Sequence, residues 1–562
     1  MEQVTIGTLS DDVLLDIFRH NLVAAPRFWP ILAAVCQRWR QIVLTYPLGL
    51  NLRLHCTHGT PVLKALDCWP GLPIIVKYGG FPNLDPPALG DNDNIVAALK
   101  QSGRVSSLSL TVTASLIENH SGISEPLSEL EEIILLTQGD IQWTLPAAFR
   151  WGSRLRTLHV TRIAIPSLPL LLAPCQDLMD IQLHEIPGAG FFPAEAFADA
   201  LSGMAQLQSL TFHLLSFPRR RNYLTLPPLL GGRVVLPALT HLKYRGTSKY
   251  LDSLVARIDA PHLEDVDITF FSQPTIDTQQ LGGFIERIEM HTSLSHAEVE
   301  NSADTISITS TDSNATTHPS LRLQISCKQF DWQLSSMAQV CNSFSPFLSR
   351  INDLNINMTK LSSGNDNVHG EQWLELVHSF GGVRDISVAG ELEVATDIMI
   401  LCALSSGDGE AITDTTVLPT LQNLHVRVPE SVLNGQFRDA ALPFITSRRL
   451  SGRPVNLRFL CHICNTSFTR QQGLRTHLVD RHAYKIMCSY CDDFEYERRH
   501  LFRNHLEVKH PEVARNDELF SNPFSTLPLA SELEALVNRH GSLRAPVIIA
   551  PPPWLRNRTP NR

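Results

Sequence analysis

The sequence predicts a multidomain α/β protein: a small helical segment, a long irregular α/β repeat solenoid, two ββα metal-binding modules and a disordered tail. Three observations predict it. An apolar phrase of the form L-x-x-L-x-L recurs between residues 105 and 426. Two Cys-x-x-Cys pairs late in the sequence are each followed by a pair of histidines. The first fifty residues carry helical rather than strand periodicity. At 562 residues the chain is too long for one hydrophobic core, so a division into several parts is expected.

The helical segment is expected over residues 5–50. Ser10 is positioned to cap a helix whose first turn holds Asp11 and Asp12, where carboxylates meet the positive end of the helix dipole. Val13, Leu14, Ile17 and Phe18 then form one apolar stripe at helical spacing. After Pro26 a second apolar helix is expected from Phe28 to Val43, with Pro47 closing it.

The repeat body is expected over residues 51–450. Its phrase opens at Val105, Leu130, Leu155, Leu178, Leu207, Leu239 and Leu263, and again at Ile351, Val383 and Leu421. The early steps are 25, 25, 23, 29, 32 and 24 residues. A period of about 20–29 residues with this phrase is the signature of leucine-rich repeats, whose strands line a horseshoe. Each unit then buries its leucines against its neighbours rather than in a single central core. The Ser/Thr/Asn-rich stretches 292–320 and 362–368 interrupt the pattern and are expected to be surface loops.

Cys461 and Cys464 are followed by His477 after twelve intervening residues and by His482 after four more, with Phe468 and Leu474 at the mini-core positions. That is the spacing of a C2H2-type zinc finger, assigned to residues 458–483. So short a module cannot bury enough apolar surface to fold without its metal. A looser, degenerate copy over 486–511 offers Cys488, Cys491, His505 and His510, with Tyr496 and Phe502 as its mini-core. Two Zn2+ ions are therefore expected. The helix positions that would face a DNA groove are Arg470, Gly473 and Thr476, with Gln472 beside them, then Arg498, Leu501 and Asn504. Gly473 and Leu501 offer no hydrogen bond to a base. Residues 458–510 carry a net charge of only +3. A protein-binding or structural finger pair is the preferred expectation, with nucleic-acid binding possible. In the tail, 512–562, Ser531 to Glu534 reads as a capping box opening a short helix that Gly541 can close; the remainder, with Pro551 to Pro553, is expected to be disordered.

A net charge of −9 argues against a chain that coats nucleic acid along its length. Of eleven cysteines, the seven outside the fingers lack framework spacing, which predicts a reducing, intracellular compartment, nucleus and/or cytoplasm. The opening residues lack a signal-peptide pattern, and no apolar run is long enough for a membrane-spanning helix. No Walker loop, G-x-S-x-G or H-E-x-x-H is present, so no enzymatic chemistry is expected.

The segment from Leu9 to Phe18 (LSDDVLLDIF), followed by Val35 to Ile42 (VCQRWRQI), resembles an F-box, with Ser10 where the family prefers proline. The insertion at 21–27 and the phrase Asn51 to Leu54 are similar to those of fungal F-box-like proteins that carry a leucine-rich-repeat-like body, here fused to C2H2-type fingers. The resemblance implies a substrate receptor of an SCF-type ubiquitin ligase: a non-catalytic adaptor that docks the Skp adaptor of a cullin-based ligase and holds a protein substrate. The docking residues it implies are Leu9, Val13, Leu14, Ile17, Phe18, Val35, Cys36 and Trp39. The alternative is a zinc-finger nucleic-acid-binding, transcription-regulator-like protein. The identity of the substrate is not legible in the sequence.

Overall fold

Alternation of apolar and polar residues over five to eight positions makes a strand that buries one face, and stacking such strands in parallel buries that face continuously. This is what the computed structural model of the protein shows. It describes residues 8–24, 29–47, 49–57, 62–78, 92–112, 126–137, 143–146, 149–215, 232–289, 294–302, 304–311, 320–327, 330–358, 375–389, 418–427, 435–461, 463–482, 485–488, 490, 495–496, 505–512 and 541–544. The chain divides into two compact units, residues 1–293 with 314–326, and residues 294–313 with 327–562.

The first unit opens with three helices, α1 (Asp11–Ala24), α2 (Trp29–Val35) and α3 (Gln37–Thr45). The Ser10 hydroxyl accepts from the Val13 N–H at 3.5 Å, as a cap should. The single helix expected from Phe28 to Val43 is broken at Cys36. That residue is extended (φ −158°, ψ 169°) and its sulfur accepts from the Trp39 N–H, so it caps α3 instead of continuing α2. Arg38 pairs with Asp11 at 2.7 Å and ties α3 to the start of α1. Trp29 donates through Nε1 to the Arg53 carbonyl at 2.9 Å and packs edge-on against Trp69, joining the helices to the strands that follow.

Those strands are β1 (Leu54–Cys56), β2 (Ile74–Tyr78), β3 (Val105–Val112), β4 (Glu132–Thr137), β5 (Thr157–Thr161), β6 (Asp180–Ile186), β7 (Ser209–Leu214), β8 (His241–Gly246) and β9 (Asp265–Phe271). Each is parallel to the next. The strand Ser320–Ser326 adds in parallel to β9, with Asp265 opposite Ser320. Helices Ala194–Leu201, Ser248–Val255 and Gln279–Glu286 follow their strands and pack on one another in succession. Every apolar residue of the recurring phrase is at most 3% exposed, from Val105, Leu108 and Leu110 to Leu421, Leu424 and Val426. The architecture is a mixed α/β fold with a large parallel sheet, resembling a leucine-rich-repeat-like solenoid.

In the second unit His296–Asn301, Asp353–Met358, Asp385–Ala389, Asn423–Arg427 and Asn456–Leu460 are successively parallel. The expectation of a surface loop over 292–320 is corrected here. His296–Asn301 and Thr305–Thr311 form an antiparallel hairpin, and its Ala297, Val299, Ile306 and Ile308 are buried. His296, Glu298 and Glu300 in the first strand and Thr305, Ser307, Thr309 and Thr311 in the second fill the alternate positions, so polar composition hid a strand pair. The stretch 362–368 lies outside the described residues.

Lys485–Cys488 pairs antiparallel with Glu495–Tyr496 and also with Gly541–Arg544. Gly541, expected to close a helix, thus begins a strand; the capping box at Ser531 to Glu534 lies outside the described residues, as does the proline run. Among the described residues no helix is long and apolar enough to cross a membrane.

Candidate functional site

The hairpin of Asn456–Leu460 and Ser467–Phe468 sets Phe459 opposite Phe468 and Leu460 opposite Ser467, and the helix Gln471–His482 follows directly. The turn between the strands is made by the sequence around Cys461. The Cys461 N–H donates to the Thr466 carbonyl at 3.0 Å, and the Asn465 N–H donates to the Cys461 carbonyl at 2.9 Å. Asn465 sits at φ 58°, a left-handed conformation that asparagine tolerates better than most residues. The turn supplies both thiols, and the helix that follows supplies the His477 imidazole. Leu474 and Leu478 of the same helix are buried, and the Phe468 ring lies 5.0 Å from that of His477.

Among the described residues, Cys461, Cys464 and His477 form the one cluster of three potential metal ligands, with all donor atoms within 4.8 Å of one another. The Cys464 sulfur lies 3.1 Å from His477 Nε2. Ligand–ligand edges of a tetrahedral zinc site with sulfur and nitrogen donors run about 3.5–3.8 Å, so this cluster needs little adjustment to close on an ion. Cys461 is buried, and burial raises its thiol pKa, opposed by backbone N–H groups of Cys464 and Ile463 that donate to the sulfur. His482 ends the same helix, but its side chain lies outside the described part.

Of the four residues expected to form the second site, the side chains of His505 and His510 are described. His505 is buried and its ring lies 5.1 Å from that of His510. Burial lowers the His505 pKa, with the charges of His510 and Lys509 adding to the effect, which favours the neutral, metal-ligating form. Tyr490 stacks obliquely on His510 at 5.3 Å. Cys488 ends a strand, but its side chain is not described, and Cys491 and Phe502 lie outside the described residues.

The nucleic-acid positions fare unevenly. Arg470 is exposed and Thr476 half-buried. Gly473, expected to face a groove, instead faces inward: a Cβ there would come within 3.2 Å of the Phe468 ring. The Gln472 side chain, Arg498, Leu501 and Asn504 lie outside the described part.

At the other end of the sequence, the eight residues implied to dock an adaptor divide into two groups. Leu14 and Phe18 are 1% exposed and form the helical core, with the Phe18 ring edge-on to Trp39 at 4.8 Å. Val13 (45%), Ile17 (39%) and Val35 (56%) face outward, Cys36 is exposed, and Leu9 and Trp39 are half-buried. Ile31, one turn before Val35, is 56% exposed and was not picked out from the sequence, although its spacing to Val35 is the available signal.

Sequence spacing also missed a long-range pairing. The first strand of the Cys461 hairpin is the terminal strand of the repeat ladder: Asn423, Leu424, His425 and Val426 lie opposite Asn456, Leu457, Arg458 and Phe459.

In comparison with known proteins, no family description matches this chain, and no curated protein matches it. One solved structure with a matching chain is the leucine-rich repeat-containing protein LegL7 from Legionella pneumophila, at 12% identity over 55% of this chain and 84% of that one. Its TM-score is 0.22, too low for the likeness to carry an argument.

Proposed function

We propose that this chain is an F-box substrate receptor of an SCF-type ubiquitin ligase, docking the Skp adaptor through its N-terminal helices and holding a protein substrate on the repeat body and fingers. The observation that supports the reading most is the pair of exposed apolar i, i+4 doublets, Val13/Ile17 on α1 and Ile31/Val35 on α2. Their burial is not needed to build the three-helix core, which Leu14, Phe18, Leu22, Ile42 and Val43 already fill. Large apolar side chains left outside a core in this pattern suit a helix-binding partner.

In this reading the chain performs no bond chemistry. It holds a substrate lysine near a charged ubiquitin-conjugating enzyme, and the rate gain comes from raised effective concentration. Zn2+ is the cofactor of the reading, held by Cys461, Cys464, His477 and His482 in the first finger and by Cys488, Cys491, His505 and His510 in the second. Both sets combine soft thiolates with imidazoles, the donors zinc prefers.

The test is a quantitative pull-down of the full chain with the Skp adaptor. Ile17→Asp places a carboxylate on the exposed doublet without touching the core, and is expected to weaken binding at least tenfold, about 1.4 kcal/mol. Absence of adaptor binding by the wild-type chain would overturn the proposal.

A further inference from the structure

The ligand cluster and the repeat sheet share one strand. Asn456–Leu460 is parallel to Asn423–Arg427 on one side and antiparallel to Ser467–Phe468 on the other. Cys461 follows this strand immediately, and Cys464 lies in the turn that brings the chain back.

The shared strand joins the ladder in the same way as the coils before it. The Arg384 N–H donates to the Asn352 carbonyl, the Gln422 N–H to the Arg384 carbonyl, and the Asn456 N–H to the Gln422 carbonyl, each at 2.8 Å. A row of side chains runs across the same register. Asp353 lies opposite Asp385, Asp385 opposite Asn423, and Asn423 opposite Asn456. Asn423 Nδ2 donates to Asp385 at 2.5 Å, and Asn456 Nδ2 donates to Asn423 Oδ1 at 3.1 Å. Asn456 thus ends the row as a repeat residue would, although it lies five residues before a metal-ligand candidate.

A parallel repeat ladder must end somewhere, and its last strand exposes unpaired N–H and C=O groups that fray or recruit other strands. Here the last two residues of that edge, Phe459 and Leu460, are covered by Phe468 and Ser467. That two-residue strand has no core of its own. It follows the Cys461 turn and packs against the helix Gln471–His482, which carries the buried Leu474 and Leu478 and supplies His477 to the cluster. A module of this size depends on its metal for folding free energy.

We propose that the metal centre at Cys461, Cys464 and His477 is the end cap of the repeat sheet in the second unit, so that zinc loading controls the stability of the last repeat strands. This rests on the zinc reading of the cluster but is independent of adaptor docking. It gives the first finger a structural task whether or not it also binds a partner.

The test is hydrogen exchange on the full chain, loaded with zinc and then stripped with a chelator, with metal content measured in parallel. The expected result is exchange at least tenfold faster in Asn456–Leu460 and Asn423–Arg427 without metal, while β5 in the first unit keeps its protection. Cys464→Ser, at an exposed ligand position, is expected to reproduce the stripped pattern with zinc present. His477→Cys retains a zinc-binding donor set and is expected to keep both metal and protection. If the metal leaves and the two strands exchange as before, the cap is overturned while the zinc site stands. If the chain holds no zinc at Cys461 and Cys464 from the outset, both fall.

Discussion

Gly382 precedes the strand Asp385–Ala389 at a point where the backbone passes hard against the turn of the preceding coil. A Cβ built on it would lie 1.8 Å from the Ser349 carbonyl oxygen and 3.4 Å from that of Ile351. Both obstacles are backbone, so neither can rotate away as a side-chain tip would. Gly382→Ala must therefore shift one coil against the next, and a loss of more than about 2 kcal/mol is expected. Urea unfolding followed by hydrogen exchange in Asp385–Ala389 measures it; a loss below about 0.5 kcal/mol would show that the coil yields freely. Gly152 occupies a similar position in the first unit, where a Cβ would lie 2.5 Å from the Ser128 carbonyl oxygen. Glycine at these points is a consequence of stacking coils closely, which the sequence records as a bare letter without the contact that explains it.

At the scale of elements, Cys36 shows how one residue reorganises a helix. The apolar periodicity runs through it, so the sequence reads as one helix, but its extended backbone separates α2 from α3 and its sulfur takes the Trp39 N–H at 3.5 Å. A thiol is a weak acceptor, and a serine hydroxyl is among the preferred caps. Cys36→Ser is therefore expected to stabilise α3 by about 0.5–1 kcal/mol, seen as a higher melting temperature; a lower one would mean the sulfur matters through packing instead. The repeat strands were legible because each phrase puts its three apolar residues on the buried face, as Leu155, Leu158 and Val160 do. The hairpin at 296–311 was not, because its buried Ala297 and Val299 alternate with His296, Glu298 and Glu300. The clustering of Cys461, Cys464 and His477 was legible from spacing alone, since the three lie within seventeen residues of one another. The pairing of Asn456 with Asn423 was not, because it links residues 33 positions apart and follows from the stacking of coils rather than from any local pattern.

Within the first unit, a buried carboxyl and a half-buried imidazole give its stability opposite dependences on pH. Asp252 accepts the Leu281 N–H at 2.9 Å near the start of the helix Gln279–Glu286. Burial raises its pKa to about 6, with Asp277 adding to the rise and the backbone N–H groups of Leu281 and Gln280 opposing it. The folded state therefore holds this proton more tightly than the unfolded chain, so its contribution is full below pH 4 and is lost as pH rises to 6. His213, on β7, has the opposite sign. Burial lowers its pKa to about 4; His184, 3.2 Å away between Nδ1 atoms, along with Arg245 and Lys243, adds to the effect, and Glu185 opposes it. The unfolded chain binds that proton more readily, so the His213 contribution is full above pH 6.5 and is lost as pH falls to 4. The Asp252 change is on the order of 3 kcal/mol, and that of the half-buried His213 is smaller because solvent screens it, so across nearly the same window the two partly offset. Removing one should uncover the other. Relative to wild type, Asp252→Asn is expected to make the unit gain stability with rising pH between 4 and 6, and His213→Gln to make it lose stability over the same range. Exchange protection of β7 as a function of pH reads both. Variants that both track the wild-type profile would show that neither group changes its proton affinity on folding, and slopes of the reverse sign would overturn the assignment of burial as the dominant cause.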